Sequence, residues 1–244
     1  MRGRFGRSRS VLPSLGGTKY DIPVHDEASL RRAVASVIAR PRPARILITQ
    51  DILITSTISV DTSSPLILEA QGFARLRVAA SITPLFSIGS STNREQLTFR
   101  NIKAEAQDGT YIALFLQYAG NYSEVTLDEC RLLADQVIDG NSKDTGVLRV
   151  TNTTSVTTSP GTAISAGGLL GVVVSGCLLY GDVNIVTGLY ARITQNLIAG
   201  SVDTSGGSSG VIVANIITGG VPTVDATDLY IVDATGGTTE PLNV

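Results

Sequence analysis

Three short stretches decide the fold: VSGCLLYG (Val174–Gly181), ITQNLIAG (Ile193–Gly200) and IVANIITG (Ile212–Gly219). Cys177, Asn196 and Asn215 hold the same place in each, and successive members lie nineteen residues apart. A β-branched residue stands three places before each (Val174, Ile193, Ile212), and a glycine four places after (Gly181, Gly200, Gly219). Self-similarity at a fixed period near twenty, with β-branched alternation, is the signature of short strands stacked coil upon coil. Nineteen extended residues at roughly 3.3 Å each span about 60 Å, enough for three short strands and three corners around a narrow core. Equivalent residues of successive coils then lie about 4.8 Å apart, so Asn196 is expected directly against Asn215, with Cys177 one coil further on. Stacked buried asparagines can hydrogen-bond along such a column, which explains a polar residue at an inward corner. The competing architecture is a sandwich whose strands repeat by chance, and equal spacing over three segments favours the solenoid.

The same pattern extends upstream. LTFRNIKA (Leu97–Ala104) and VTLDECRLLA (Val125–Ala134) align Phe99 with Leu127 and Ile102 with Cys130. Each reads as two alternating apolar residues, a two-residue polar corner, then an inward residue. Earlier still, ARILITQDILITSTISV (Ala44–Val60) keeps Ile46, Ile48, Ile52, Ile54, Ile58 and Val60 on one parity, and PLILEAQGFARLRVAA continues it with Gly72 as a turn. DEASLRRAVASVIAR (Asp26–Arg40) has a helical period instead. Asp26 is its N-cap, Leu30, Val34, Val37 and Ile38 form the apolar face, Arg31 and Arg32 point outward, and RPRP ends it. Between Asp139 and Gly168 the pattern blurs around TNTTSVTTSPG, which reads as a loop or a decorated coil.

Composition agrees with strands and turns. Of 244 residues 43% are hydrophobic, yet Trp is absent and aromatics make up only 5%, leaving Val, Ile, Thr, Ser and Gly dominant. No apolar run reaches the length of a membrane span, and the N-terminus lacks the apolar stretch of a secretory signal. Cys130 and Cys177 sit in apolar strand-like segments, where buried free thiols are expected. The net charge of −2 hides an asymmetry: residues 1–45 hold ten Lys/Arg against three Asp/Glu, a net of +7, and the remainder carries −9. Residues 1–19, rich in Gly, Ser and Arg, lack a core-forming pattern and read as an extended arm.

A helix, then ILITQDILITSTISV, then LTFRNIKAEA and VTLDECRLLA, together resemble the pectate-lyase-like right-handed parallel β-helix over roughly residues 20–235. The resemblance implies an all-β, single-stranded parallel β-helix in which the helix at about 26–40 covers the N-terminal end. The expected organisation is therefore an arm over 1–19 and a β-helix domain over 20–244. Right-handedness also follows the general rule for parallel crossovers. Many members are bacteriophage tailspikes, fibres and other virion appendages, commonly trimers, docked on the particle by an N-terminal segment. What the resemblance implies here is a structural or receptor-binding appendage on the virion exterior, with other virion proteins as partners and a host surface glycan or receptor as target. The alternative it implies is a polysaccharide depolymerase.

A catalytic constellation is hard to find in the residues. Glycoside hydrolysis needs two carboxylates about 5–9.5 Å apart, which means one or two coils apart. Asp128 aligns with Arg100, Ser175, Thr194 and Val213, and Glu129 with Asn101, Gly176, Gln195 and Ala214, so neither column holds a second acid. Adjacent in sequence, Asp128 and Glu129 are expected to point to opposite sides of a strand. They and Asp135 and Asp139 are the candidate acids if the protein is an enzyme. His25, the sole histidine, reads as a neighbour of the helix cap. The family's Ca²⁺-binding acid clusters and its Trp- and His-containing motif have no counterpart; Asp225, Asp228 and Asp233 lack the spacing of a Ca²⁺ loop. No metal and no cofactor are expected. Tyr111, Tyr118, Tyr122, Tyr180, Tyr190 and Tyr230 could serve as sugar platforms or as half-buried strand residues.

The arm RGRFGRSRS places Arg2, Arg4, Arg7 and Arg9 around Phe5. Such a segment can grip phosphates, lie on an acidic protein surface, or stay solvated; the acidic body argues against nucleic acid and favours docking. An ice- or surface-binding solenoid, suggested by TSTIS and TNTT, needs a Thr in every coil, which the alignment lacks. A homotrimer is expected. Residues 145–244 carry only eight charged side chains (Arg149, Asp182, Arg192, Asp203, Asp225, Asp228, Asp233 and Glu240), and VDATDLYIVDATGGTTEPLNV offers no helix to cover the last coil's unpaired edge.

Overall fold

The computed structural model describes residues 20–79, 82–89, 94–118, 122–141, 146–157, 161–186, 188–204, 209–219, 223 and 229–231. Arm residues Arg2, Arg4, Phe5, Arg7 and Arg9 lie outside this set, as do Asp225, Asp228 and Asp233. A first sheet runs through Tyr20–Val24, Ala44–Ile48, Leu66–Ala70, Arg94–Arg100, Tyr122–Asp128, Val147–Thr151, Leu169–Ser175, Gly188–Thr194, Ser209–Val213 and Leu229–Ile231. After each return to it the chain passes to a second sheet (Ile52–Ile54, Leu76–Val78, Lys103–Ala106, Thr154–Val156, Leu178–Tyr180, Leu197–Ile198, Ile216–Ile217). It then enters a third (Ile58–Val60, Phe86–Ile88, Ile112–Tyr118, Thr162–Gly167, Asp182–Ile185, Val202–Asp203). The long strand Arg131–Asn141 takes part in both the second and the third. Every strand pairing among the described residues is parallel. The protein is mostly β with long parallel sheets, an architecture consistent with a parallel β-helix or solenoid.

The register reproduces the alignment read from the sequence. Leu127 pairs with Phe99, Val174 with Ile193, and Ile193 with Ile212. All five of these side chains are buried, and they belong to one continuous core. The nineteen-residue interval holds only in that C-terminal run; Leu68 and Phe99 are paired across 31 residues. The wider coils are filled by an aromatic cluster, Phe86, Phe99 and Phe115, with ring centroids 4.9–5.6 Å apart in tilted and edge-on arrangements.

A repeated backbone feature turns the chain from the first sheet to the second. Asn101, Glu129, Asn152, Gly176, Gln195 and Ala214 all have positive φ, between 50° and 67°. Each is the second residue of the polar corner, and the bend does not interrupt bonding between coils: the N–H of Asn101 donates to Asp128 O, Glu129 to Thr151 O, and Asn152 to Ser175 O. A non-glycine residue in this left-handed region costs roughly 1–2 kcal/mol. The bond kept across each corner offsets that cost, since a buried N–H left unmade costs as much.

Asp26 caps the helix Glu27–Ala39 through a reciprocal capping box, its carboxylate accepting from Ser29 N–H at 2.6 Å while Ser29 Oγ accepts from Asp26 N–H at 3.1 Å. The buried face is Leu30, Ala33, Val34 and Val37, and it packs against the first strands of all three sheets. Ile38, expected on that face, is exposed, because Ala33 occupies the inward position beside Leu30 and Val37 instead. Arg31 and Glu27 tie the helix to the corner at 55–57: Glu27 accepts from Thr55 N–H and Oγ1, and Arg31 donates to the Ser56 and Thr57 carbonyls. Burial works against the Glu27 carboxylate, but bonds from Thr55 and Arg31 outweigh it and hold its pKa below the usual value.

The region 139–168, read as a loop or a decorated coil, proves to be a coil of the stack: Val147–Thr151, Thr154–Val156 and Thr162–Gly167 pair in register with their neighbours. The pattern blurs in sequence because this coil turns hydroxyls inward. Thr153, Ser155 and Thr157 are all buried, Ser155 in a column that neighbouring coils fill with Leu132 and Leu179. Thr153 Oγ1 donates to Thr151 O and accepts from Cys130 N–H, and Thr157 Oγ1 donates to Tyr180 O.

Candidate functional site

The four acids singled out from the sequence fall in a single coil, yet they are spread around it. Asp128 ends a strand of the first sheet, Glu129 occupies the left-handed corner, Asp135 lies where the long strand passes between sheets, and Asp139 is on the third sheet. Glu129 is therefore not the strand neighbour expected opposite Asp128; its φ of 56° takes it out of the pleat.

Asp128 belongs to a ladder of alternating charge on the outer face of the first sheet. Asp21 pairs with Arg45 at 2.6 Å, Arg45 with Glu69 at 3.6 Å, Glu69 with Arg100 at 4.0 Å, and Arg100 with Asp128 at 3.8 Å. Asp128 also accepts from Thr151 Oγ1 at 2.8 Å and Asn152 Nδ2 at 3.2 Å. Glu69 and Asp128 lie two coils apart, within reach of an acid–base pair, but the guanidinium of Arg100 stands between them and occupies both. This arrangement stabilises the sheet rather than a reacting sugar. Asp139 stands in a polar column on the third sheet with Gln117 before it and Ser165, Asn184 and Asp203 after it. Asp203 is three coils away, roughly 14 Å at the strand spacing, beyond the range in which two carboxylates share a glycosidic bond.

Asp135 has a different setting. It lines a cleft of about 540 Å³ together with Ile82, Thr83, Gln107, Asp108, Thr110 and Tyr111. A tight turn builds the rim: Gly109, at φ 77°, lets its N–H donate to Ala106 O, and Ala106 N–H donates to Thr110 O. Asp108 accepts from the Thr110 hydroxyl and from Thr110 N–H at 3.0 Å, and these bonds hold its carboxyl below the usual carboxylate range. Such a carboxylate is an acceptor of hydrogen bonds from hydroxyls. Half-buried Tyr111 adds an aromatic face beside it. Two carboxylates, an amide and a tyrosine around an open concavity suit a polyhydroxylated ligand. Of these residues the sequence pointed to Asp135 and Tyr111; Asp108 and Gln107 were not legible, because a turn, not a shared column, brings them there.

The side chains of Tyr118, Tyr122 and Tyr230 lie outside the described set, and the other candidates have structural settings. His25 is exposed, its Nε2 3.6 Å from Asp26, and its N–H donates to Ser29 Oγ, a neighbour of the cap. Tyr180 and Tyr190 are exposed, the latter lying over Gly171 of the preceding coil. Cys130 and Cys177 are buried free thiols, pushed up to about 12 and about 11 by burial. Among the described residues no group of three or more His, Cys, Asp or Glu gathers to hold a metal, and no helix is long and apolar enough to cross a membrane. Comparison of the chain with family models, with curated proteins and with solved structures returns no match.

Proposed function

We propose that the protein is a structural, receptor-binding component of a virus particle, an exterior appendage of tailspike, fibre or head-spike type. In this reading residues 20–244 form a right-handed parallel β-helix of the pectate-lyase-like kind, and residues 1–19 dock it on other virion proteins. The observation that carries the reading is the partition of charge along a stacked body: a net of +7 in residues 1–45 and −9 in the remainder. A stack of parallel coils bonded rung to rung is a stiff rod, suited to holding a binding surface away from an attachment point. The cleft around Asp108, Tyr111 and Asp135 is the place for a host surface glycan. Mass spectrometry of purified particles tests the assignment, which requires the protein among their constituents; its absence from them overturns it.

The second reading, a polysaccharide depolymerase, is favoured by one observation, that Asp135 and Asp108 line the same cleft. Asp108 is already engaged by the hydroxyl and N–H of Thr110, so the test falls on Asp135. Release of reducing ends or unsaturated sugars from host glycans, abolished by Asp135→Asn, supports that reading. Glycan binding without release supports the first.

A further inference from the structure

The outer face of the second sheet changes character half-way along the stack. In the early coils it carries Leu53, Arg77 and Glu105 in one column and Lys103 and Arg131 in the other. From Thr154 onward the second column continues, in register, as Thr154, Leu178, Leu197 and Ile216, and Val156 pairs with Tyr180 beside it. Among the described residues no charged side chain stands on this part of the face, although Tyr180, Leu197 and Ile216 are 43%, 40% and 44% exposed. The adjoining edge is flat as well, since Gly181, Gly200 and Gly219 stack backbone on backbone there.

We infer that this face is where copies of the chain meet, side by side about an axis parallel to the stack. The inference gives a location to the self-association expected from the charge-poor half of the sequence, and it is separate from the virion reading. Charge selects the occupant. Rotation about an axis parallel to the stack keeps every residue at its own height, so a column lying beside the axis meets its own copy, and a charge in it would face a like charge. A column of Thr, Leu, Leu and Ile tolerates that meeting, and the Lys103–Arg131 column of the same sheet does not. The face equally offers no complementary charge to a charged partner. Exposed apolar side chains repeating at the coil spacing align layer by layer with an identical set: Leu197 against Leu197 and Ile216 against Ile216.

The test uses the full chain at micromolar concentration, with mass read by light scattering. The wild type is expected to be an oligomer, and the pair Leu197→Lys and Ile216→Lys to reduce it to monomer with its thermal melting retained, since both side chains point outward. Arg77→Ser, on the charged half of the same face, leaves the oligomer unchanged. Should the lysine variant fail to fold, Leu197→Cys and Leu53→Cys decide the matter: oxidation links copies through position 197 and not through position 53. A monomeric wild type, an oligomer indifferent to the lysines, or linkage through 53 alone overturns the inference. Because no particle is involved, these results leave the virion assignment to its own test.

Discussion

Asn196 and Asn215 stand at the same inward position of consecutive coils, and Oδ1 of Asn215 accepts from both Asn196 Nδ2, at 2.9 Å, and Asn196 N–H, at 3.0 Å. The pattern repeats one coil back, where Asn196 Oδ1 accepts from Cys177 N–H at 2.9 Å, and Thr153 Oγ1 accepts from Cys130 N–H. After the left-handed corner the next N–H is served by a side-chain oxygen from the following coil instead of a backbone carbonyl. Each amide nitrogen donates in turn to the strand carbonyl one coil back, Asn196 to Val174 O and Asn215 to Ile193 O. The column closes a gap in the backbone ladder. Asn215→Leu leaves the Asn196 N–H without an acceptor and its Nδ2 with only Val174 O, and at about 1–3 kcal/mol for each bond lost the expected loss is about 3 kcal/mol. Urea unfolding of Asn196→Leu, Asn215→Leu and the double variant measures it, and the double variant should lose less than the sum of the two. Additive losses would show that the two side chains act independently.

Gly200 and Gly219 are glycines for reasons of space. A Cβ on Gly200 would overlap the Gly181 carbonyl and lie 2.9 Å from Asp182 N, and one on Gly219 would lie 2.6 Å from Ser201 N. The obstacles are backbone atoms, which cannot rotate away. Gly200→Ala is expected to cost about 3 kcal/mol, the upper range for overpacking. Gly72 has φ 58° and open space around it, so Gly72→Ala should cost about 1 kcal/mol. Thermal melting of the two variants checks the order; equal losses would mean that the coils separate readily at the glycine stack.

The nineteen-residue spacing of Cys177, Asn196 and Asn215 exposed the coil register, because inward positions there alternate strictly and the glycines recur with them. The coil through Thr153 and Ser155 was hidden, since buried hydroxyls look like loop residues until their bonding is seen. The left-handed corner was hidden too: Glu129, Gln195 and Ala214 have no intrinsic preference for positive φ, and only bonding to neighbouring coils holds them there. Of the candidate site, Asp135 and Tyr111 were visible as residue types, but their meeting with Asp108 depends on a turn geometry without a sequence period.

Ser155 is the exception within the buried hydroxyls. It occupies the core column of the second sheet between Leu132 and Leu179, and its Oγ has no hydrogen-bond partner. An unpaired buried hydroxyl costs about 1–3 kcal/mol, so Ser155→Ala is expected to stabilise the protein by about 1 kcal/mol. A raised urea midpoint with an unchanged slope confirms it; destabilisation would mean that the hydroxyl has a use.

The thiols give a pH dependence with a definite sign. Burial raises Cys130 from 9.0 to about 12 and Cys177 to about 11 in the folded state. The folded protein therefore keeps protons that the unfolded chain releases from about pH 9 upward, and stability falls with pH in the window from about 9 to 11–12. Below pH 9 this contribution is fully present. At pH 8 a thiol reagent should leave both cysteines unmodified until urea is added, then count two. Rapid labelling of the native protein would contradict the burial.

The arm gives the last prediction. Among the described residues the first sheet begins at Tyr20–Val24, paired in register with Ala44–Ile48, and Val24 is the first buried core residue. Removing residues 1–19 should therefore leave the melting temperature unchanged while abolishing incorporation into the particle. Replacing Arg2, Arg4, Arg7 and Arg9 with Ser should weaken attachment in part, leaving Phe5 and the backbone to hold it. If the partner surface is acidic, the wild-type attachment should itself weaken as salt screens the pairing, and the four-Ser variant should lose that dependence. The measurements are particle occupancy at two ionic strengths and thermal melting for the three chains. Unchanged occupancy on deletion refutes docking through the arm. A collapsed melting temperature would assign the arm to the fold, because a segment that only docks adds nothing to the stability of the free protein.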